Sequence, residues 1–384
     1  MNPFIELPGA VVAEDTGVAA HYGEPLLEQR VLDEGDAITD LSHRGIVVVS
    51  GQDRLSWLHS MTSQQLMGLR PGECVETMLL DPNGRIERVI RLVDDGERAW
   101  LLVDEGSAAP LTEFLMRMRF ALRVEVQDLS AEYAAVLAFE GPAAEALRSM
   151  VPVIEWRDPW ARVLPGGVQY ARGEHPGESW SAVQFVFSRD RLEEVVGLVR
   201  TGSVRVAGSL ALDALEVRAW RPAQHGDVDD RSIPHEFDWM RTAVHLTKGC
   251  YRGQETVAKV HNLGHPPRRL VLLHLDGSGG ELPVAGALVY RAGEAADPES
   301  RPVGRVTRSA LHHEWGGIAL ALLKRSVPED ADLELRSGVD GADSGSTEGQ
   351  IIAASQEIVV PADAGATKGV LPTMRFPRKT QPTE

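Results

Sequence analysis

Cysteine is nearly absent from this chain: Cys74 and Cys250 are the only two in 384 residues. Two thiols cannot staple so long a chain into a disulfide framework, so a packed core must hold the fold. The expected compartment is one where thiols stay reduced, the cytoplasm. Long apolar runs are also missing. No stretch of about 18 apolar residues occurs, and no membrane-spanning helix is expected. The opening residues MNPFIELPGA lack the basic-then-apolar order of a secretory signal. Positive charge is in deficit, with 39 Lys and Arg against 56 Asp and Glu and a formal net charge of −17. That balance argues against general binding to nucleic acid or to an anionic membrane, and leaves room only for a local basic pocket. There is no glycine-rich phosphate loop, no G-x-G-x-x-G after a strand and no G-x-S-x-G elbow, so nucleotide-dependent chemistry and serine hydrolysis have no support.

What remains is an ordinary globular composition, 43% apolar and 25% charged, in a chain long enough for two or three domains. After an extended lead-in, a short helix is expected near residues 24–34. ITDLSHRGIVVVSG reads as two strands around a polar turn, and GQDRLSWLHSMTSQQL as a helix. LRPGECVETMLLDPNGRIERVIRLVDDGERAWLLVD reads as three strands divided by strong turn sequences, followed by a helix over 109–118. A similar unit follows, with strand and helix in EYAAVLAFEGPAAEALRSM and again in ESWSAVQFVFSRDRLEEVVGLVR. SLALDALEVRAWRP reads as a helix capped by Ser209 and ended by Pro222. Beyond His265-Pro266-Pro267, alternating strands to residue 336 suggest a small antiparallel barrel or sandwich. Residues 337–384 read mostly as a flexible tail, with one edge strand at most over 351–360.

The stretch Lys248-Gly249-Cys250-Tyr251-Arg252-Gly253-Gln254-Glu255 concentrates the chemistry. Cys250 is expected in a glycine-flanked loop before the helix that begins in GQETVAKVH. A helix N-terminus with Lys248 and Arg252 nearby favours thiolate, while a buried structural thiol fits the same residues. Arg241, Lys248, Arg252, Lys259, Arg268 and Arg269 fall within thirty residues, as a polyanion site or as solvated surface charge. His261 and His265 are four apart, but Gly264 and Pro266 end the helix between them, so no histidine metal site is expected. Asp227, Asp229 and Asp230 lack the pattern of a calcium loop and are expected to be solvated.

KGCYRGQE resembles the signature of the YgfZ family of folate-binding proteins, relatives of the glycine cleavage T-protein (aminomethyltransferase). DLSHRG, LRPGE, DPNGRI and VGRVTRS resemble further T-protein segments, so that the likeness covers residues 25–336. It implies an α+β fold of three lobes ringed around a central folate channel. Two interleaved α/β lobes would occupy residues 1–265 and a C-terminal antiparallel β-barrel 266–336. Tetrahydrofolate or a one-carbon derivative would be the cofactor. Iron–sulfur proteins or their assembly machinery would be the partners, with effects on tRNA-modifying enzymes and no direct contact to nucleic acid or membrane. Cys250 would be the functional thiol, supported by Lys248. Asp40, Arg218, Arg241, Tyr251, Arg252, Gly253, Gln254 and Glu255 would contact folate. Two departures stand out. Glu87-Arg88-Val89 replaces the acidic pair of T-proteins, and Arg218 stands where they carry a pterin-binding glutamate. Both argue against glycine-cleavage chemistry and for an accessory factor in iron–sulfur cluster assembly or repair. A folate-dependent transferase or demethylase, using Asp40 as its acid–base group, and a non-catalytic folate-binding scaffold are the alternatives.

Overall fold

The computed structural model describes residues 2–277, 280–297, 299–337 and 350–367. The chain opens with a two-stranded ribbon, β1 (Val11–Val12) and β2 (Ala19–His21). Helix α1 (Pro25–Asp33) and strand β3 (Ala37–Leu41) follow, and then β4 (Gly45–Ser50), α2 (Arg54–Met61), β5 (Cys74–Leu80), β6 (Ile86–Asp94), β7 (Arg98–Val103), α3 (Ala108–Met118) and β8 (Glu125–Asp128). Strands β4 to β8 form one antiparallel sheet in the order β5-β6-β7-β4-β8. The second unit contributes β9 (Tyr133–Phe139), α4 (Pro142–Ser149), β10 (Ile154–Arg157), β11 (Ala182–Ser188), α5 (Leu192–Arg200) and β12 (Arg205–Val206). Its sheet runs β10-β11-β9-β3-β12. Strands β3 and β4 are therefore neighbours in sequence that belong to different sheets. Residues 42–44 cross from one lobe to the other, and the two lobes interleave.

Each sheet is buried on both faces, which explains why strands such as residues 46–49 and 134–139 read as unbroken apolar runs. The outer face of the first sheet packs Val47, Val49 and Leu101 against Leu58 of α2 and Leu111 and Leu115 of α3. On the second, Val136 and Phe185 meet Leu147 of α4 and Val195 and Val196 of α5, with Phe4 closing one side. The inner faces share one core rich in tryptophan, including Trp100, Trp156, Trp160 and Trp239. Arg221 ties the lobes inside it, bonding Glu76 at 2.6 Å and Asp158 at 2.9 Å.

Three further helices, α6 (Ser209–Arg218), the single turn α7 (Gln224–Asp227) and α8 (Gln254–Leu263), lead to the third lobe. Gly208, rather than Ser209, occupies the cap of α6. A Cβ there would lie 2.2 Å from the Ala20 carbonyl oxygen, so the crossing of α6 over β2 demands glycine. The helix ends at Arg218, capped by Ala219, and Trp220, with a φ of +54°, turns the chain before Pro222 is reached.

The third lobe is a closed barrel of β13 (Arg268–Leu275), β14 (Leu288–Arg291), β15 (Gly304–His312), β16 (Gly316–Lys324), β17 (Leu333–Ser337) and β18 (Gln350–Ile358), ordered β13-β16-β15-β14-β17-β18. The run expected at most as an edge strand is β18, which pairs with both β13 and β17 and has no free edge. The rest of the expected tail, residues 338–349 and 368–384, lies outside the described residues. Of the acidic loop expected in solvent, Asp230 is exposed, but Asp227 and Asp229 dock the barrel. Asp229 accepts from Arg268 at 2.6 Å and Arg305 at 3.1 Å, and fully buried Asp227 meets Arg308 at 2.9 Å. Burial costs these carboxylates hydration, and the barrel arginines restore it with charge-assisted bonds.

Candidate functional site

The signature loop packs against the first lobe. Gly253 caps α8 with φ +84°, and a Cβ on it would lie 2.6 Å from the Asp81 carbonyl oxygen and 3.0 Å from Gly84 Cα. The DPNG turn and the KGCYRGQE loop thus touch backbone to backbone. Lys248 is buried and points into the same lobe. Its Nζ donates to the carbonyl oxygens of His59, Thr62 and Gln64 at 2.6, 2.6 and 2.8 Å, and lies 5.0 Å from the Tyr251 ring centre. Burial pushes the Lys248 pKa down to about 7. Three acceptors nevertheless match the three N–H bonds of the ammonium, one more than a neutral amine can offer, so the geometry selects the charged form. Gln254 Nε2 donates to the Lys248 carbonyl at 3.3 Å. Arg252 bonds Glu87 at 2.6 Å and lies over Phe114. Tyr251 is buried, which raises its pKa. Glu255 stands exposed in the first turn of α8, where a negative charge suits the helix dipole.

Cys250 itself is exposed and unpaired. The thiol is therefore not a core residue. Cys74 is half-buried, accepts the Arg157 backbone N–H at 3.3 Å, and has its pKa raised by that burial.

The other expected site residues do not gather at this loop. Asp40 is buried at the end of β3, where Asn2 Nδ2 donates to it at 2.6 Å and Ser42 N at 2.9 Å. Burial raises its pKa against those bonds. Arg218 is held by Asp33 of α1 through paired bonds of 2.9 and 3.0 Å. Arg241 is buried against Trp160, 4.9 Å from its ring centre, and lies 2.7 Å from the His175 ring nitrogens. The run of cations is likewise dispersed. Arg268 is engaged with Asp229 and Glu236, Arg269 is buried against Val327 and Gln356, and Lys259 stands exposed on α8. Proximity in sequence is a poor guide because all of these cations but Lys259 have tertiary partners of their own.

A cavity of about 370 Å³ opens where all three lobes meet, a volume within the usual range of about 300–1,000 Å³ for small-molecule sites. Residues 43 and 44 enter it from the crossing turn, Asp104 from the end of β7, Asp213 and Glu216 from α6, His225 from α7 and Arg308 from the barrel. None of these was singled out as a ligand contact in the sequence. The available signals were DLSHRG, in which attention fell on Asp40, and the one-turn spacing of Asp213 and Glu216 on α6. Arg308 bonds Glu216 at 2.6 Å and the Arg221 carbonyl at 2.6 Å. Burial would raise Asp104, but Arg91 at 2.7 Å and nearby Arg44 outweigh it and hold the carboxyl well below its usual range. Burial lowers His43 to about 4, helped by Arg44. Asp213 sits between α6 and the barrel with its side chain half-exposed at the cavity. Burial raises its pKa to about 6 against the pull of Arg308, with Glu216 adding repulsion. Cys250 does not line this cavity. The junction offers both donors and acceptors to a polar ring but places no thiol beside it.

Comparison with known proteins agrees with this architecture. Residues 26–159 match the GCVT N-terminal domain, and the chain is similar to several aminomethyltransferases. The enzyme of Geobacillus kaustophilus is 28% identical over 75% of this chain and 79% of its own length. A chloroplastic protein of Arabidopsis thaliana, named as a transferase, is 25% identical over 71% of this chain but only 63% of its own length. The mitochondrial iron–sulfur cluster assembly factor IBA57 homologue of Mycosarcoma maydis is 24% identical over 62% of this chain and 56% of that protein. In three dimensions, the glycine cleavage system aminomethyltransferase T from Bartonella henselae superposes with a TM-score of 0.70, at 18% identity, over 91% of this chain and 94% of that one. The fold is that of an aminomethyltransferase, with its barrel as the third lobe.

Proposed function

We propose that this protein is a tetrahydrofolate-binding accessory factor of the YgfZ type, acting in the cytoplasm on the assembly or repair of iron–sulfur clusters and, through cluster-dependent enzymes, on tRNA modification. The observation that carries the reading is the exposed Cys250 in a loop braced by Lys248 and Gly253. A solvent-facing thiol on a rigid support is suited to a partner protein rather than to a ligand sealed in a channel. A single thiol cannot supply the four cysteines of an ordinary cluster site, so the partner provides the remaining ligands. Similarity to an iron–sulfur cluster assembly factor supports the same direction. The junction cavity supports a folate site: its unmatched donors and acceptors suit a pterin ring, and its residues would bind and orient that ring. Tetrahydrofolate would supply one-carbon chemistry when bound.

The test is a deletion strain complemented with Cys250→Ala. Activity of cluster-dependent enzymes should stay at the level of the deletion, while the purified variant keeps its melting temperature. Wild-type enzyme activities in that strain would remove the thiol role. A melting temperature that rises with tetrahydrofolate tests the folate site separately.

A second reading, a folate-dependent transferase, draws on one observation. Asp213 is a carboxyl raised to about 6 that faces the cavity. It is better placed for acid–base work than Asp40, which is committed to Asn2 and Ser42. Multiple turnovers of a methyl or aminomethyl donor by pure protein would favour it.

A further inference from the structure

Most charges around the junction cavity are matched. Asp104 is paired with Arg91 at 2.7 Å, Glu216 with Arg308 at 2.6 Å, and Asp227 with Arg308 at 2.9 Å. Two are left over. The Arg44 side chain, on the crossing turn, makes no hydrogen bond or close ion pair among the described residues, and burial lowers its pKa. Asp213, on α6, has Arg308 no nearer than 3.8 Å, and that guanidinium is already committed to Glu216. Arg44 and Asp213 feel each other's charge across the cavity. A guanidinium with five N–H donors and a carboxyl with open lone pairs, both partly exposed at one cavity, leave donors and acceptors free for a ligand.

The cavity does not end at these residues. It shares Leu210, Asp213 and Ser309 with an adjoining groove of about 530 Å³. Pro25, Leu26, Leu27, Leu282 and Leu311 line that groove. Leu26, Leu27, Leu210 and Leu311 are 42–49% exposed. Four large apolar side chains turned to solvent around one concavity are a signature of a binding surface. The polar chamber and the apolar groove adjoin at Asp213.

We infer, resting on the folate reading of this cavity, that Arg44 and Asp213 are the pair that recognises the ligand's polar head, and that its aryl portion leaves through the leucine-lined groove. Asp213 accepts from the adjacent amino and ring N–H groups of a 2-amino-4-oxo heterocycle, and Arg44 donates to an oxo or carboxylate oxygen of the same ligand. Neither residue takes part in a covalent step in this assignment; both are specificity determinants. The arrangement also compensates for Arg218, which is bound to Asp33: the carboxylate for the pterin edge comes from five residues earlier on α6.

Calorimetric titration of the full-length chain with tetrahydrofolate and with 6-methyltetrahydropterin, which lacks the aryl group, tests the assignment. Wild type should bind tetrahydrofolate at least about tenfold more tightly than the pterin. Arg44→Gln and Asp213→Asn should each weaken both ligands by about tenfold or more with the melting temperature retained. Leu27→Glu should weaken tetrahydrofolate alone. If Arg44→Gln does not fold, Arg44→Lys, which keeps the charge but loses the planar fork, should show the same weakening. Unchanged affinities in the Arg44 and Asp213 variants, alongside folate binding by wild type, overturn the assignment and leave the folate reading standing. Absence of folate binding by wild type overturns both.

Discussion

Gly253 and Gly84 meet with no side chain between them. A Cβ placed on Gly253 would lie 3.0 Å from Gly84 Cα, and one placed on Gly84 would lie 2.9 Å from Thr256 Cβ. Both glycines hold positive φ, +84° and +77°. Two loops distant in sequence, one carrying Cys250, are thus fixed to each other at a spacing that only glycine permits.

Gly253→Ala should therefore destabilise the protein by about 2–4 kcal/mol, the sum of the left-handed backbone penalty and the close contact with Asp81. Denaturant titration measures the loss. The alanine variant should also show faster modification of Cys250 by a thiol reagent, because the loop loses its seat. Unaltered stability would mean that the DPNG turn yields easily and does not brace the loop.

Lys248→Met removes the cation that satisfies three carbonyl oxygens. Buried acceptors left without donors cost about 1–3 kcal/mol each, and partial hydration lowers the total, so a loss of at least about 2 kcal/mol is expected. Lys248→Arg should not restore it, since a planar fork cannot address three converging carbonyls. Chemical denaturation of the three proteins side by side gives the comparison.

Arg218→Ala should behave quite differently. The residue is bonded to Asp33 at the partly exposed edge between α6 and α1, and an ion pair of this kind contributes about 0–1 kcal/mol. Folate affinity should stay within about twofold of wild type. A large loss of affinity would return Arg218 to the ligand site that its alignment with the T-protein glutamate implied.

Asp238 provides a pH-dependent test. It is fully buried in left-handed conformation, and burial raises its pKa to about 7 even though it accepts the Tyr170 N–H at 2.7 Å. The unfolded carboxyl loses its proton near 3.9. Between about pH 4 and 7 the folded state therefore holds more protons, and rising pH favours unfolding. Asp238→Asn, which suits the same backbone conformation, removes this titration. Wild type should lose about 2 kcal/mol or more relative to the variant between pH 4 and 8. Parallel stability profiles would show that the aspartate stays ionised throughout.

Much of the fold could be read from local signals. The helix near α1, the three-strand hairpin series and the amphipathic α5, with Leu192, Val195 and Val196 inward, all follow from periodicity and turn chemistry. What escaped was decided at long range. Residues 42–44 look like an ordinary hairpin turn, and nothing local reveals that β3 and β4 part into different sheets. Asp213 looks like a surface acid because its cavity is closed by residues from β15, some ninety positions away. The β18 strand follows a stretch rich in glycine, serine and aspartate, which hid its membership of the barrel. Cys250 was the reverse case: its loop was legible, but only tertiary packing shows the thiol outside and Lys248 inside.

The closure of the barrel by its final strand sets an order on biosynthesis. Val271 of β13 pairs with Ile358 of β18, so one side of β13 stays unsealed until nearly the whole described chain has left the ribosome. Arg308, whose strand belongs to that barrel, provides the last wall of the junction cavity and its bond to Glu216. The two early lobes can assemble first, but the cavity gains its closed barrel wall only after β18 has been made. A chain interrupted before residue 350 would expose two hydrogen-bonding strand edges and lack the fully closed site.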